Sequence, residues 1–325
     1  MTGNGRLTEP RTGRSRSRCR FSNMAVGGHV DNRRDDAPVS ITLGESLWRG
    51  RGRRRHLGRH RLPGPGRGGH PYPSRRRLVA SDGGVFSFGD ARYEGSLPAL
   101  GVKVNNIRAV IPSVDFRGYA LFGYDGGVFS LGDEPSHANL AYNGIEAHDI
   151  VGIVFTQYAS GFDIAGADGG VFTIGNARFE GSLPSFGIHV SNIVGIAATA
   201  DTKGYWLAGS DGGIFSFGDA RYFGRVPPGP SPVVGIASTS DGNGFWAVEQ
   251  NGGVFAFGDA GYFGSLPQYR VSVNNIVSMM PTRDDKGYWL VGADGEIFTF
   301  GDAPFFGSLG NLHLDRPIVA AVPTS

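Results

Sequence analysis

The sequence predicts an all-β fold, a six-bladed β-propeller with four-stranded blades, preceded by a disordered arginine-rich tail. Three observations predict it. Glycine supplies 54 of the 325 residues, a composition that a mostly helical protein does not tolerate, because each interior glycine costs a helix about 1 kcal/mol against alanine. One segment recurs at a nearly fixed period. The charge changes sign sharply near residue 77.

The charge break sets the domain boundary. Residues 1–77 hold 19 arginines, no lysine and 5 acids, and residues 78–325 hold 12 basic and 24 acidic residues. The first part lacks an apolar period and cannot bury enough surface to offset chain entropy, so it is expected to be disordered. Three readings of it compete. It is a basic arm for nucleic acid, a targeting segment, or a misassigned start, since an arginine-rich, lysine-free stretch is what a GC-rich gene yields out of frame. The targeting reading lacks the apolar core that a secretory signal needs. Gly64-Pro-Gly66-Arg-Gly-Gly69 matches a dinucleotide pattern but follows no strand and opens no helix.

The period comes next. Asp82-Gly-Gly-Val-Phe-Ser-Phe-Gly-Asp90 returns from Asp125, Asp168, Asp211, Asn251 and Asp294, at intervals of 43, 43, 43, 40 and 43 residues. The fourth copy is the clearest. Asn192–Thr199 reads as one strand, Tyr205–Ser210 as a second, Ile214–Phe217 as a third and Arg221–Gly224 as a fourth. Aspartate and glycine fill the turns, where positive φ is needed. Four short strands every 40–45 residues is the unit of a propeller blade. Pro317–Thr324 matches a first strand and Leu78–Ser81 the tail of a second. Residues 317–325 with 78–97 therefore form a split blade that closes the ring, with Arg76-Arg77 standing where other copies carry Tyr-Trp.

The fourth copy, Gly204-Tyr-Trp-Leu-Ala-Gly-Ser-Asp-Gly-Gly-Ile-Phe-Ser-Phe-Gly-Asp-Ala-Arg-Tyr-Phe-Gly224, resembles the repeat of many actinobacterial, including mycobacterial, exported proteins. There it often accompanies cell-wall hydrolase domains. The resemblance spans residues 78–325. It implies a propeller-like module outside the cell or in its envelope, and it brings no catalytic residues with it.

Candidate sites follow from the repeat. Asp82, Asp125, Asp168, Asp211, Asn251 and Asp294 are read as turn caps. Asp82 and Asp90 lie eight residues apart along one strand, over roughly 20 Å, too far to share an ion. Trp206, Trp246 and Trp289 share a second repeat position, and Phe86, Phe129, Phe172, Phe215, Phe255 and Phe298 a third. Residues present in every blade are read as packing. Ligand binding is assigned to loops that vary between blades, with His137, Tyr142, His148, His189, Tyr269 and His313 as candidates. No catalytic residue, metal or cofactor is expected, and the chain is expected to be a monomer without a membrane helix. The leading function is a noncatalytic module that binds a glycan or a protein at the cell envelope. The alternatives are a hydrolase with its site in the propeller channel, and a nucleic-acid binder acting through the basic tail.

Overall fold

The computed structural model describes residues 76–89, 91–113, 115–135, 140, 147–156 and 161–323. Among these residues, eighteen strands fall into six three-stranded antiparallel sheets. Five of them are continuous in sequence: β3 (Ile107–Pro112), β4 (Gly118–Gly123) and β5 (Val128–Gly132); β6 (Ile150–Phe155), β7 (Gly161–Gly166) and β8 (Val171–Gly175); β9 (Ile193–Ala198), β10 (Gly204–Gly209) and β11 (Ile214–Gly218); β12 (Val233–Ser238), β13 (Gly244–Glu249) and β14 (Val254–Gly258); β15 (Ile276–Pro281), β16 (Gly287–Gly292) and β17 (Ile297–Gly301). The sixth sheet joins β18 (Ile318–Pro323) to β1 (Arg76–Ala80) and β2 (Val85–Phe88).

In that split sheet Leu78 pairs with Ala321 and Val79 with Ala320, while Leu78 also faces Phe86. The strand starts at Arg76, two residues before the boundary drawn from composition. The expectation of disorder over residues 1–75 lies outside the described residues.

The middle strand of every sheet is fully buried. Both of its faces read as apolar because each sheet is flanked by two others. The cores accordingly lie between sheets. Ala165 and Val171 pack with Ile193, Tyr205, Leu207 and Phe217, and Trp246 and Val248 pack with Ile276, Tyr288 and Leu290. The first strands touch in cyclic order, β3 to β6, β6 to β9, β9 to β12, β12 to β15, β15 to β18 and β18 to β3. The arrangement is propeller-like.

The expected fourth strand is a correction. Among the described residues, 91–97, 177–183, 219–226, 259–266 and 302–309 belong to no strand. This segment crosses to the neighbouring sheet. At Gly264, φ is +120°, and a Cβ there would meet Phe300 of the next sheet at 3.2 Å and Tyr269 at 3.0 Å. At Gly181 a Cβ would meet Phe217 of the next sheet at 3.0 Å. The strap's carbonyls accept bonds from side chains instead of a partner strand. Trp206, Trp246 and Trp289 donate their indole N–H to Arg221 O (2.9 Å), Gly261 O (2.7 Å) and Pro304 O (2.8 Å) of their own sheet's strap. From the following sheet, Tyr119 and Tyr205 donate to Gly95 O and Gly181 O, and Tyr288 to Gly264 O at 2.6 Å. Buried carbonyls need partners, and side chains supply them here.

The arginine pair of β1 takes over both roles. Arg77 Nη2 donates to Arg92 O (2.9 Å) and Phe116 O (3.1 Å). Arg76 Nη2 donates to Gly307 O (2.9 Å). The Arg76 guanidinium sits among the rings of Phe88, Trp289 and Phe306, 5.4–5.7 Å from their centroids. Burial there pulls its pKa down to about 10.

Candidate functional site

The turn between the second and third strand of each sheet is built alike six times. A side-chain oxygen of Asp82, Asp125, Asp168, Asp211, Asn251 or Asp294 accepts the main-chain N–H two residues on, at 2.7–3.0 Å. These oxygens are engaged in the Asx turns that the sequence reading describes. The same turns anchor the segments that lead to the next sheet. The N–H groups of Leu97, Leu140, Leu183, Val226, Leu266 and Leu309 donate to Gly83, Gly126, Gly169, Gly212, Gly252 and Gly295. The first residue of each following strand is tied to the turn as well, as in Ile193 N to Ala167 O at 3.0 Å. The uniform turns and the variable loops therefore lie side by side.

The loops carry the candidate binding residues. His148, His189 and His313 are exposed in three different loops, and Tyr269 is exposed at the end of a short 3₁₀ turn, Pro267–Tyr269. His137 and Tyr142 lie outside the described residues. Among the described residues, His148, His189 and His313 form no common metal-binding group. Among the described residues no group of three or more His, Cys, Asp or Glu side chains is placed to hold a metal ion. No helix there is long and apolar enough to cross a membrane.

The straps carry a second set of surface residues, which the sequence reading missed. Tyr93, Phe179, Tyr222, Tyr262 and Phe305 occupy one repeat position and are 49–58% exposed. In four of the five straps the residue that follows, Glu94, Glu180, Phe223 or Phe263, is half-buried, so the ring faces outward while its neighbour packs inward. Tyr262 Oη reaches Ser265 Oγ at 3.2 Å and Gln268 Oε1 at 2.9 Å, which links this ring to the turn bearing Tyr269. Tyr93 Oη likewise reaches Ser96 Oγ at 3.0 Å. The signal for this set was readable, since an aromatic residue recurs two positions after Ala91, Ala177, Ala220, Ala260 and Ala303. Periodicity marked it as repeated; only the structure shows which repeated rings face solvent.

At the opposite end of the sheets, a threonine hydroxyl stands between two carboxylates. Thr239 Oγ1 lies 2.9 Å from Asp241 and 3.3 Å from Asp259. Thr199 lies 3.2 Å from Asp201 and 3.1 Å from Asp219, and Thr282 lies 2.9 Å from Asp284 and 3.4 Å from Asp302. The two members of the Asp241–Asp259 pair move apart. The Asn243 main-chain and side-chain N–H groups hold Asp241 down to about 2. Burial, then the proximity of Asp241, pushes Asp259 up. The Lys203 ammonium, 2.7 Å away, holds Asp201 down to about 2. These groups fasten the turns between the first and second strands.

No protein-family profile matches the chain, and no curated protein matches it.

Proposed function

We propose that the six sheets are the blades of a closed six-bladed ring, and that the ring is a noncatalytic module binding a glycan at the cell envelope. The cyclic contacts of the first strands and the split sheet of β18, β1 and β2 support closure. The observation that carries the binding reading is the row of exposed strap aromatics, Tyr93, Phe179, Tyr222, Tyr262 and Phe305. An aromatic face stacks on the apolar face of a sugar ring. Such a face on five of the six sheets, with Ser136 at the position in the β3–β5 repeat, suits a polymer whose units also repeat. Phe186 and Tyr269, exposed in the adjoining loops, extend that surface toward the variable face, where the ligand's identity would be read. Envelope placement rests on the resemblance of the repeat to that of exported proteins.

The test is retention of the full chain on insoluble cell-wall polysaccharide, compared with the triple variant Tyr222→Ala, Tyr262→Ala, Phe305→Ala. Loss of retention in a variant that melts like the parent supports the reading. Equal retention of both, or none by either, removes it and leaves a protein ligand on the loops as the reading to pursue.

A further inference from the structure

The junction between the β6–β8 sheet and the β9–β11 sheet differs from the three junctions that follow it along the chain. The position that carries Trp206, Trp246 and Trp289 elsewhere carries Asp163, in the middle of β7. The strap position that carries Phe223, Phe263 and Phe306 carries Glu180. An indole and a phenyl ring are thus replaced by two carboxyl groups against Tyr205 of the next sheet.

Asp163 is 3% exposed. Its Oδ1 has no hydrogen-bond partner among the described residues. Its cross-strand neighbours, Val154 and Thr173, carry no charge. The titratable groups acting on it there are Glu180 and Tyr205. Arg178, the cation beside Glu180 in sequence, pairs with Glu180 at 3.3 Å. The junction between the split sheet and the β3–β5 sheet makes the contrast plain. There the same position holds the cation Arg77, its guanidinium 4.7 Å from the Tyr119 ring centroid, with Glu94 on the strap. One junction balances its strap carboxylate with a buried cation. The other adds a second acid.

We propose that Asp163 makes this junction a proton-operated latch, tight when the carboxyl is protonated and loosened when it ionises. A neutral carboxyl gains an O–H donor and loses its repulsion with Glu180, whereas an ionised one is a buried charge facing a like charge. Burial, and then Glu180, push the Asp163 pKa up to about 6, which places the change in a range that acidified surroundings reach. Above the junction sits the loop that begins with the 3₁₀ turn Pro184–Phe186 and carries His189. Loosening the latch frees the strap beneath that loop. The device therefore couples pH to one sector of the variable face.

The experiment is a pH series from 7.5 to 4.5 on the full chain, reading melting temperature, amide exchange in β10 and the ¹³C shift of the Asp163 carboxyl. The latch predicts a carboxyl midpoint near 6 and a melting temperature that rises by roughly 5 °C on acidification. After correction for the intrinsic rate, it also predicts slower exchange at Tyr205–Ala208 at low pH. Asp163→Asn should remove most of the rise and melt higher than the parent at pH 7.5. Glu180→Gln should shift the midpoint downward while keeping the transition, a result that simple loss of packing would not give. A carboxyl midpoint near 4 in the parent overturns the proposal. So does a pH slope that Asp163→Asn leaves unchanged.

Discussion

Arg77 and Trp206 hold the same place in two sheets, and each sends a side-chain nitrogen 2.9 Å to the main-chain oxygen fifteen residues downstream, of Arg92 and Arg221 respectively. In four of the six sheets this position holds an N–H donor on a long flat group that fills the gap between sheets, while Ala120 and Asp163 stand there in the other two. Indole fills that place with one donor. Guanidinium fills it with a charge as well, and the Tyr119 ring face receives the charge.

Removing the flat group should be expensive. Trp246→Ala deletes a fully buried indole and leaves Gly261 O without its donor. We expect a loss of about 3–5 kcal/mol, measured by urea unfolding. Arg77→Ala should also destabilise, and Arg77→Trp should recover most of that loss. If Arg77→Ala melts like the parent, Arg77 does not perform the role of Trp206.

The Asp-Gly turns admit no side chain at their second residue. Gly252 has φ of +79°, and a Cβ there would lie 2.4 Å from Leu266 Cδ1, at the segment whose N–H bonds Gly252 O. Gly252→Ala should cost about 2 kcal/mol or more, from backbone strain together with overpacking. Thermal unfolding checks it, with Gly101→Ala as a comparison, since that glycine shares the positive φ but has no atom near its missing Cβ.

Acid should act on the protein in two opposite senses. Asp201 and Asp241 have pKa values held down to about 2. Their stabilisation is present above the unfolded value near 4 and is lost as pH falls from about 4 to about 2. Asp163 has a raised pKa of about 6. Its ionisation penalty is absent below about 4 and complete above about 6. Stability should therefore peak between about pH 4 and 5. A melting series that climbs steadily to pH 7 contradicts this.

The strap aromatics should separate binding from folding. Tyr222 is more than half exposed. Tyr222→Ala should shift the melting temperature by less than about 2 °C and still weaken retention on polysaccharide. Phe223→Ala, its inward-facing neighbour beside Trp206 and Phe245, should do the reverse.

Much of this architecture was legible in the residues. The 43-residue spacing, the Asp-Gly turns and the match of Pro317–Thr324 to Asn192–Thr199 mark three strands per repeat and the split sheet. Arg221–Gly224 misled, because strand propensity records a residue's fit to a pleated surface and not which groups will bond its backbone. The carbonyls of that segment are claimed by Trp206 and by tyrosines of the next sheet, and those pairings depend on how sheets stack. Arg76 and Arg77 looked like the end of a charged tail, and only their acceptors Gly307 and Arg92 reveal them as part of the sheet. Asp163 could be placed at the tryptophan position by alignment of the repeats. That its Oδ1 has no hydrogen-bond partner among the described residues could not be read there. His148, His189 and His313 lie in loops between sheets, but sequence spacing carries no information on whether loops from different sheets converge.

Pairing β1 with β18 also has a kinetic consequence. Five sheets close turns of a few residues each, whereas the sixth must bring Ala80 to Ile318, a span of roughly 240 residues whose closure costs on the order of 5 kcal/mol in chain entropy. The five local sheets should therefore be assembled before the sixth registers. Until then the outward sides of β3 and β15 wait without a neighbour. Refolding should show a late, slow phase that follows the quenching of Trp289, whose partner Arg76 arrives only with that final pairing. The intermediate that precedes it is the species most prone to exchange its β1 strand with another molecule.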